Sequence, residues 1–327
     1  MIGYILRRCI QAVFITFGVT LLVFLLLHLL PGGPARAILG PRATAVAIAQ
    51  FNHDNGLDQP IWVQYGTYLG HITGLGSLFG GHGWSIDFGY SYKLNQSVGS
   101  LLAEDLPKTL VLVGLSYAIA IIIAVPLGIY QAVRRNKVDD YVLTGASFIF
   151  YSMPVFWLGI ILIVLFSETL THLPSEGPQG ATVGDLFSQF SALILPVVTL
   201  ALGTIALFSR YMRSSTLENM VQDYVRTARA KGASETRVLF LHVLRNALIP
   251  ILTLIGLSIS FIFSGALITE ALFNFPGIGL LFWNAAIQQD YPVILGIIVV
   301  AALATVAGSL LADILYAVAD PRVRYSR

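Results

Sequence analysis

Asp223-Tyr-Val-Arg-Thr-Ala-Arg-Ala-Lys-Gly232, followed by His242-Val-Leu-Arg-Asn-Ala-Leu-Ile-Pro250, is a basic, helix-prone segment caught between two long apolar runs. Leu217, Met220, Val221, Tyr224, Val225 and Ala228 recur at three- and four-residue spacing, which predicts one amphipathic helix. Glu218 and Asp223 near its start, and Arg229 and Lys231 near its end, complement the helix dipole. Gly232 supplies a left-handed stop, and Ser234 can cap a second helix. Pro250 then falls in the first turns of the next apolar run, where it is tolerated. A basic helix lying on anionic lipid would explain the charges and the apolar stripe. It would not explain the small residues Thr227, Ala228, Ala230 and Gly232, which suit close approach of another protein's backbone. The segment reads as a docking element.

Its surroundings are those of a membrane protein. Only 11% of the 327 residues are charged and 56% are hydrophobic, where a soluble domain would carry about 25% charged residues. Runs free of Asp, Glu, Lys and Arg cover Cys9–Leu30, Thr109–Tyr130, Tyr141–Ser167, Phe190–Ser209, Ala247–Thr269 and Tyr291–Ala312. Each reaches the ~20 residues that cross a hydrocarbon core as a helix. The third is overlong, which predicts tilt or a kink at Pro154. Pro126 and Pro196 are further candidate kinks. The first run exceeds a signal peptide's apolar core and is followed by Pro31-Gly-Gly-Pro34 rather than a small-residue cleavage site, so it reads as a retained helix.

Fifteen of the nineteen lysines and arginines lie at the two termini, between the second and third runs, and between the fourth and fifth. Positive charge stays on the cytoplasmic side, which places both termini and the docking segment inside. The fold class is therefore an all-α membrane protein with six transmembrane helices and a large extracytoplasmic loop between helices 1 and 2. Residues 1–30 form the N-terminal tail and first helix, 31–108 the extracytoplasmic loop, and 109–317 the transmembrane core with its docking loop at 210–246. Residues 318–327 form a cytoplasmic tail. Short helices are expected in the outer loop around Ala43–Asn52 and Ile61–Ile72.

Chemistry is absent from the motifs. No Walker lysine, HExxH, GxSxG or carboxylate pair beside a histidine occurs, and the lone Cys9 excludes an internal disulfide. The Gly-rich stretch of the outer loop lacks the Lys-Ser/Thr of a phosphate loop, and His71, His82 and Asp87 read as loop polarity rather than a metal site. The chain thus calls for no cofactor and no nucleic acid; its neighbour is the lipid bilayer. No carboxylate, Lys or Arg sits at mid-membrane depth, which weighs against an ion-coupled carrier. Asp313, near the cytoplasmic end of the sixth run, and Glu270, at the outer end of the fifth, read as packing or interface residues. Thr253, Ser260 and Ser264 share one face of the fifth run and fit either a polar translocation path or helix–helix hydrogen bonding.

The chain also resembles, nearly end to end, the B-type permease subunits of oligopeptide/dipeptide ABC importers. The resemblance is carried by Tyr4-Ile-Leu-Arg-Arg8 through Phe24-Leu-Leu-Leu-His-Leu-Leu-Pro-Gly32, Gly56-Leu-Asp-Gln-Pro60 with Gln64-Tyr65, and Ser152-Met-Pro-Val-Phe-Trp-Leu-Gly159. Thr269-Glu270, Pro276-Gly-Ile-Gly279, Asp290-Tyr-Pro-Val293 and Asp320-Pro-Arg-Val-Arg-Tyr325 extend it. It implies a type I ABC importer permease fold, a second homologous permease subunit, two cytoplasmic ATPase subunits that bind ATP and Mg, and an extracytoplasmic peptide-binding protein. It also implies that Tyr224, Arg226, Thr227, Ala228, Lys231 and Gly232 form the coupling helix that enters an ATPase groove. The general motif reads Glu-Ala-Ala and then Gly; here Arg226 and Thr227 stand at the Glu and first Ala positions, Ala228 and Gly232 at the others. The first loop departs too, reading Ser85-Ile-Asp-Phe-Gly-Tyr-Ser91 after an extra Gly-rich stretch. The resemblance implies that the chain forms the translocation pathway for di- and oligopeptides; the same architecture importing nickel, glutathione or sugars is the alternative. A stand-alone channel or membrane scaffold without ATPase partners is the reading of a different class.

Overall fold

The computed structural model describes residues 2–29, 33–40, 42–74, 86–264 and 266–319. Helix α1 (Ile2–Leu29) is followed by α2 (Gly33–Leu39), α3 (Ala45–Asp54) and α4 (Ile61–Thr73). Thr44 caps α3 through its hydroxyl, and Gly74, at φ 73°, ends α4 on a left-handed residue. The stretch read as one outer loop does not stand clear of α1. Gln64 and Tyr65 on α4 reach His28 (2.8 Å) and Thr20 (3.1 Å) on α1, and the Tyr65 ring packs on Phe17 and Phe24. The apolar side of α4 thereby lies along α1 within its charge-free run.

A two-residue hairpin, β1 (Tyr90–Ser91) with β2 (Gln96–Ser97), leads into α5 (Val98–Val133). Ser91 donates to the Asp290 carboxylate, which ties the hairpin to the last helix. Helix α5 starts well before the charge-free run because Lys108, buried, folds back onto Asp105 (3.0 Å) and Glu104 (3.4 Å). It continues through Pro107 and Pro126 without a break. A turn through Asn136 at φ 64° then opens α6 (Val138–Ser152).

Pro154 does far more than kink the third run. It lacks an N–H and forces Met153 into an extended conformation (φ −76°, ψ 127°), so α6 and α7 (Val155–Ile163) meet at 104°. Helix α7 runs on into a wider π-helical turn, Val164–Thr169. Short α8 (Val183–Ser188), closed by a reciprocal Thr182–Asp185 capping box, precedes α9 (Phe190–Met220). Pro196 sits inside α9 and leaves it continuous.

The core is the pair α5 and α9. Leu112 clusters with Leu193 and Val197 at one end, and Ala124 and Ile129 cluster with Phe208 and Met212 at the other, so the two helices run parallel. A Cβ on Gly128 would lie 2.6 Å from the Met212 Cβ, so only glycine lets the helices approach this closely. At the end rich in Arg and Lys, Arg213 grips buried Asp140 with two 2.8 Å bonds, and Arg210 lies over the rings of Phe148 and Tyr151. This fastens α6 to α9.

Beyond α9 come α10 (Asp223–Ala230) and α11 (Glu235–Arg237), then a π-helical turn (Val238–Val243), α12 (Leu244–Ala247) and α13 (Ile249–Ser264). The predicted fifth run is not a single helix. Helix α13 closes at Ser264, Ala266 takes a non-helical conformation (φ −92°, ψ 56°), and α14 (Leu267–Leu272) starts a new direction. Helices α15 (Ile278–Gln288) and α16 (Tyr291–Ala319) complete the chain. Among the described residues four helical stretches are long and apolar enough to cross a membrane, or five if the bent α6–α7 pair is one span. The Val13–Leu29 part of α1 is apolar but shorter than that limit.

Candidate functional site

Eight residues are too few to hold a helix in water, so α10 depends on what it packs against. Val225 and Ala228, three residues apart on one face, are buried. They join a cluster containing Ala124 and Ile129 of α5, Phe208 and Met212 of α9, and Val238 and Val243 beyond. Burying one valine side chain is worth about 1.5–3 kcal/mol. The seat of α10 is thus the core of the bundle itself.

Both ends of α10 are set by backbone geometry. Gln222 is extended (φ −71°, ψ 153°), which makes a corner between α9 and α10. That corner corrects the sequence reading of one continuous amphipathic helix. Leu217, Glu218 and Met220 belong to the end of α9, and only Tyr224, Val225 and Ala228 of the stripe lie on α10. At the far end the Gly232 N–H donates to the Arg229 carbonyl (2.9 Å) and the Ala233 N–H to the Ala228 carbonyl (3.2 Å). With Gly232 at φ 80°, this closes the helix in the manner the sequence predicts. Arg229 then donates to both oxygens of Glu235 (2.9 and 3.1 Å), which clips α10 to α11, and Ser234 accepts from the Arg237 N–H (3.4 Å).

The other face is bare. Asp223, Arg226, Thr227 and Ala230 are all exposed, and Lys231 and Gly232 continue the same surface. The Arg226 side chain is 72% exposed, and its 3.3 Å contact with Asp223 joins two groups in water, which contributes little. Its guanidinium is free to take a stronger partner. Thr227 spends its hydroxyl on the Asp223 carbonyl (2.9 Å). A Cβ on Gly232 would meet nothing within 4 Å, so the space beside it is open.

Of the six residues the sequence singled out, Arg226, Thr227, Lys231 and Gly232 thus share the outward surface. Tyr224 sits at its edge, its hydroxyl donating to Asn219 of α9 (2.7 Å). Ala228 points the other way; its small side chain serves packing on the chain's own core rather than an approaching backbone. Gln131 near the end of α5 and Thr216 on α9 are buried polar groups with no hydrogen-bond partner among the described residues. Sequence patterning did not single out either one.

Thr253 is exposed on α13 and donates to its own helix at the Ile249 carbonyl (3.1 Å). The side chains of Ser260 and Ser264 lie outside the described residues, as does that of Asp313. His71 and Asp87 stand 3.9 Å apart, both more than half exposed, and His82 lies outside the described residues. No group of three metal-ligating side chains forms among the described residues.

At the opposite end of α5, Glu270 is fully buried and organises three helices. Its carboxylate accepts from Thr109 of α5 (2.9 Å), from the Gly279 and Leu280 N–H groups at the start of α15 (2.6 and 3.2 Å), and from the Ala266 N–H (3.3 Å). A negative group suits the N-terminus of α15. Thr109 also accepts from the Ile278 N–H (2.9 Å). A Cβ on Gly279 would come within 2.5 Å of the Leu267 Cα, so the carboxylate reaches these amides only because glycine is there. Glu270 is a packing residue, one of the two roles its position suggested.

Comparison with known proteins accords with this architecture. Residues 124–325 match the family described as binding-protein-dependent transport system inner membrane component, and residues 1–113 match the N-terminal family of such components. The chain is 39% identical over 327 residues to the oligopeptide transport system permease protein AppB of Bacillus subtilis, covering 99% of this chain and 100% of that one. It is 39% identical over 330 residues to a putative peptide permease protein of Brucella ovis, covering 99% of each. It is 35% identical over 345 residues to the dipeptide transport system permease protein DppB of Alkalihalophilus pseudofirmus, covering 99% of this chain and 100% of that one. With both family matches and full-length relatives on a bundle of apolar helices, the chain belongs to the inner membrane components of binding-protein-dependent transport systems.

Proposed function

We propose that this chain is the membrane-spanning subunit of an ATP-driven importer and conducts di- and oligopeptides delivered by an extracytoplasmic binding protein. The observation that carries the proposal is the two-faced α10, with Val225 and Ala228 sunk into the bundle core and Arg226, Thr227 and Lys231 bare on the other side. The chain crosses the bilayer six times, with α1 as the first span and the bent α6–α7 pair as the third, and both termini are cytoplasmic. Residues 210–246 then face the cytoplasm.

In this reading α10 enters a groove on one of two ATPase subunits, and a second homologous permease completes the pathway. ATP and Mg are bound by the ATPases, and this chain contributes no catalytic group. Its part is mechanical: a push on α10 passes through Val225 and Ala228 into the cluster shared by α5 and α9. Arg226 and Lys231 present positive charge, so the receiving groove offers carboxylates at those points. Thr253, Ser260 and Ser264 line the pathway on α13. The peptide cargo rests on the names of the full-length relatives.

Reconstitution with the second permease, the ATPases and the binding protein tests all of this. Labelled oligopeptide should accumulate in proteoliposomes only with ATP and all subunits. Accumulation of nickel, glutathione or a sugar in its place would replace the cargo. Flux that persists without the ATPases would make the chain a channel.

A further inference from the structure

The turn between α5 and α6 carries Arg134, Arg135 and Lys137 beside two acids, Asp139 and Asp140. Both acids are already neutralised within the chain. Asp139 accepts from Arg134 and from the Tyr130 hydroxyl (2.7 Å each), and Asp140 is held by Arg213 and the Asn136 N–H. Arg135 and Lys137 are exposed and make no ion pair among the described residues. Two uncompensated cations therefore sit on one turn.

Beside them lies a shallow, open groove of about 670 Å³ lined by Tyr130, Arg134, Lys137, Val138, Asp139, Val142 and Leu143, its one acid being the Asp139 already paired with Arg134. Val138 and Val142, one helical turn apart, are 79% and 64% exposed. The charge-free runs end at Tyr130 and resume at Tyr141, so the groove straddles the edge of the apolar zone. Along the helix, Lys137 comes first, and the exposed valines Val138 and Val142 follow it into the charge-free run that begins at Tyr141. That order, charge first and then apolar surface, is the order of a phospholipid from head to tail.

We propose that an anionic phospholipid occupies this groove, its phosphate at Lys137 with Arg135 adding charge, and its acyl chains along Val138 and Val142. The inference rests on the cytoplasmic placement of the basic end given above. Inner-leaflet charge attracts such a site, and each basic residue near the surface contributes to the attraction.

The test is native mass spectrometry of the full chain released from nanodiscs of mixed phosphatidylglycerol and phosphatidylcholine, wild type against R135Q/K137Q. Wild type should retain phosphatidylglycerol, and the double variant should retain it roughly thirtyfold less, two charges' worth of surface attraction. A V138N/V142N variant, which keeps the charges, should also lose the lipid. Equal retention of both lipids by wild type would overturn the proposal. So would displacement of the lipid by free glycerol phosphate, which would mark a phosphate site without a lipid requirement. A photo-crosslinker at position 137 that captures an ATPase chain instead of lipid would assign the turn to a protein contact and overturn it as well. ATPase co-purification with R135Q/K137Q is expected to be unchanged; its loss would make the turn a protein contact and overturn the proposal too.

Discussion

At the basic end, α10 is seated in the core by two apolar side chains, and its polar ties, Tyr224 to Asn219 and Arg229 to Glu235, lie at the exposed surface. At the opposite end, α14 and α15 are joined through one buried carboxylate that takes four hydrogen bonds. Both attachments are made to α5, through Ala124 and Ile129 at one end and Thr109 at the other. Apolar contact is non-directional and tolerates sliding, whereas four hydrogen bonds converging on Glu270 tolerate very little. The same long helix is therefore held by apolar contact beneath the proposed docking face and by directional bonds at the far end. A push on α10 would move the basic end against a fixed opposite end.

The largest effect that would break this comparison is expected at Glu270. Glu270→Ala strands the Thr109 hydroxyl and three backbone N–H groups in a buried site, each costing about 1–3 kcal/mol. The variant should yield little folded protein after mild detergent extraction. Wild-type thermal stability would mean the knot holds nothing.

Next come two charge changes on α10 with opposite expected signatures. Ala228→Glu puts a carboxylate into the seat, so it should lower the melting temperature and uncouple transport together. R226E/K231E alters only the exposed surface, so it should leave melting unchanged while cutting ATP-coupled uptake by about tenfold or more, with loss of an acidic docking groove's attraction. If both variants melted alike, the division between seat and docking face would be wrong.

Val225→Ala removes buried surface from the seat without adding charge. The expected loss is about 1–2 kcal/mol, read as faster hydrogen exchange in α10 while α15 stays protected. Gly232→Ala forces a Cβ onto a φ of 80°, at about 1 kcal/mol. Its Cβ would meet open space, so only the helix end should fray, and uptake should fall modestly.

The smallest effect concerns Asp185, whose carboxyl is held below its ordinary value by the Thr182 backbone N–H and hydroxyl. A depressed carboxyl contributes while ionised, above its unfolded pKa, and the contribution disappears as pH falls through the folded value. Exchange protection of α8 should stay flat from neutral pH down to about pH 4 and decline only below that. A decline nearer neutrality would assign the α8 cap to some other group.

Much of the geometry around α10 was legible because its causes are local. A left-handed stop at Gly232, a cap at Ser234 and acid-before-base ordering on α10 each depend on neighbours a few residues away. What was not legible has long-range causes. The corner at Gln222 splits a stripe that satisfies helical spacing throughout, and spacing alone does not reveal a turn whose two sides pack on different partners. Ala228 and Thr227 are both small, yet one is buried and the other bare, because only one faces α5 and α9. The Glu270 knot draws on Thr109, far away in sequence, and on three amides whose sequence carries no polar signal.

Composition, charge-free runs and the placement of Lys and Arg belong to the sequence, because burial in lipid and attraction to one membrane face act residue by residue. So does membership in the family, which is written in ungapped motifs along the chain. Tertiary structure alone decided that Pro154 turns the third run by 104°, that α4 lies back along α1, and that α10 divides into a seat and a bare face. Those outcomes depend on which helix faces which, and that is settled only when the apolar faces and buried polar groups of distant segments find partners at the same time.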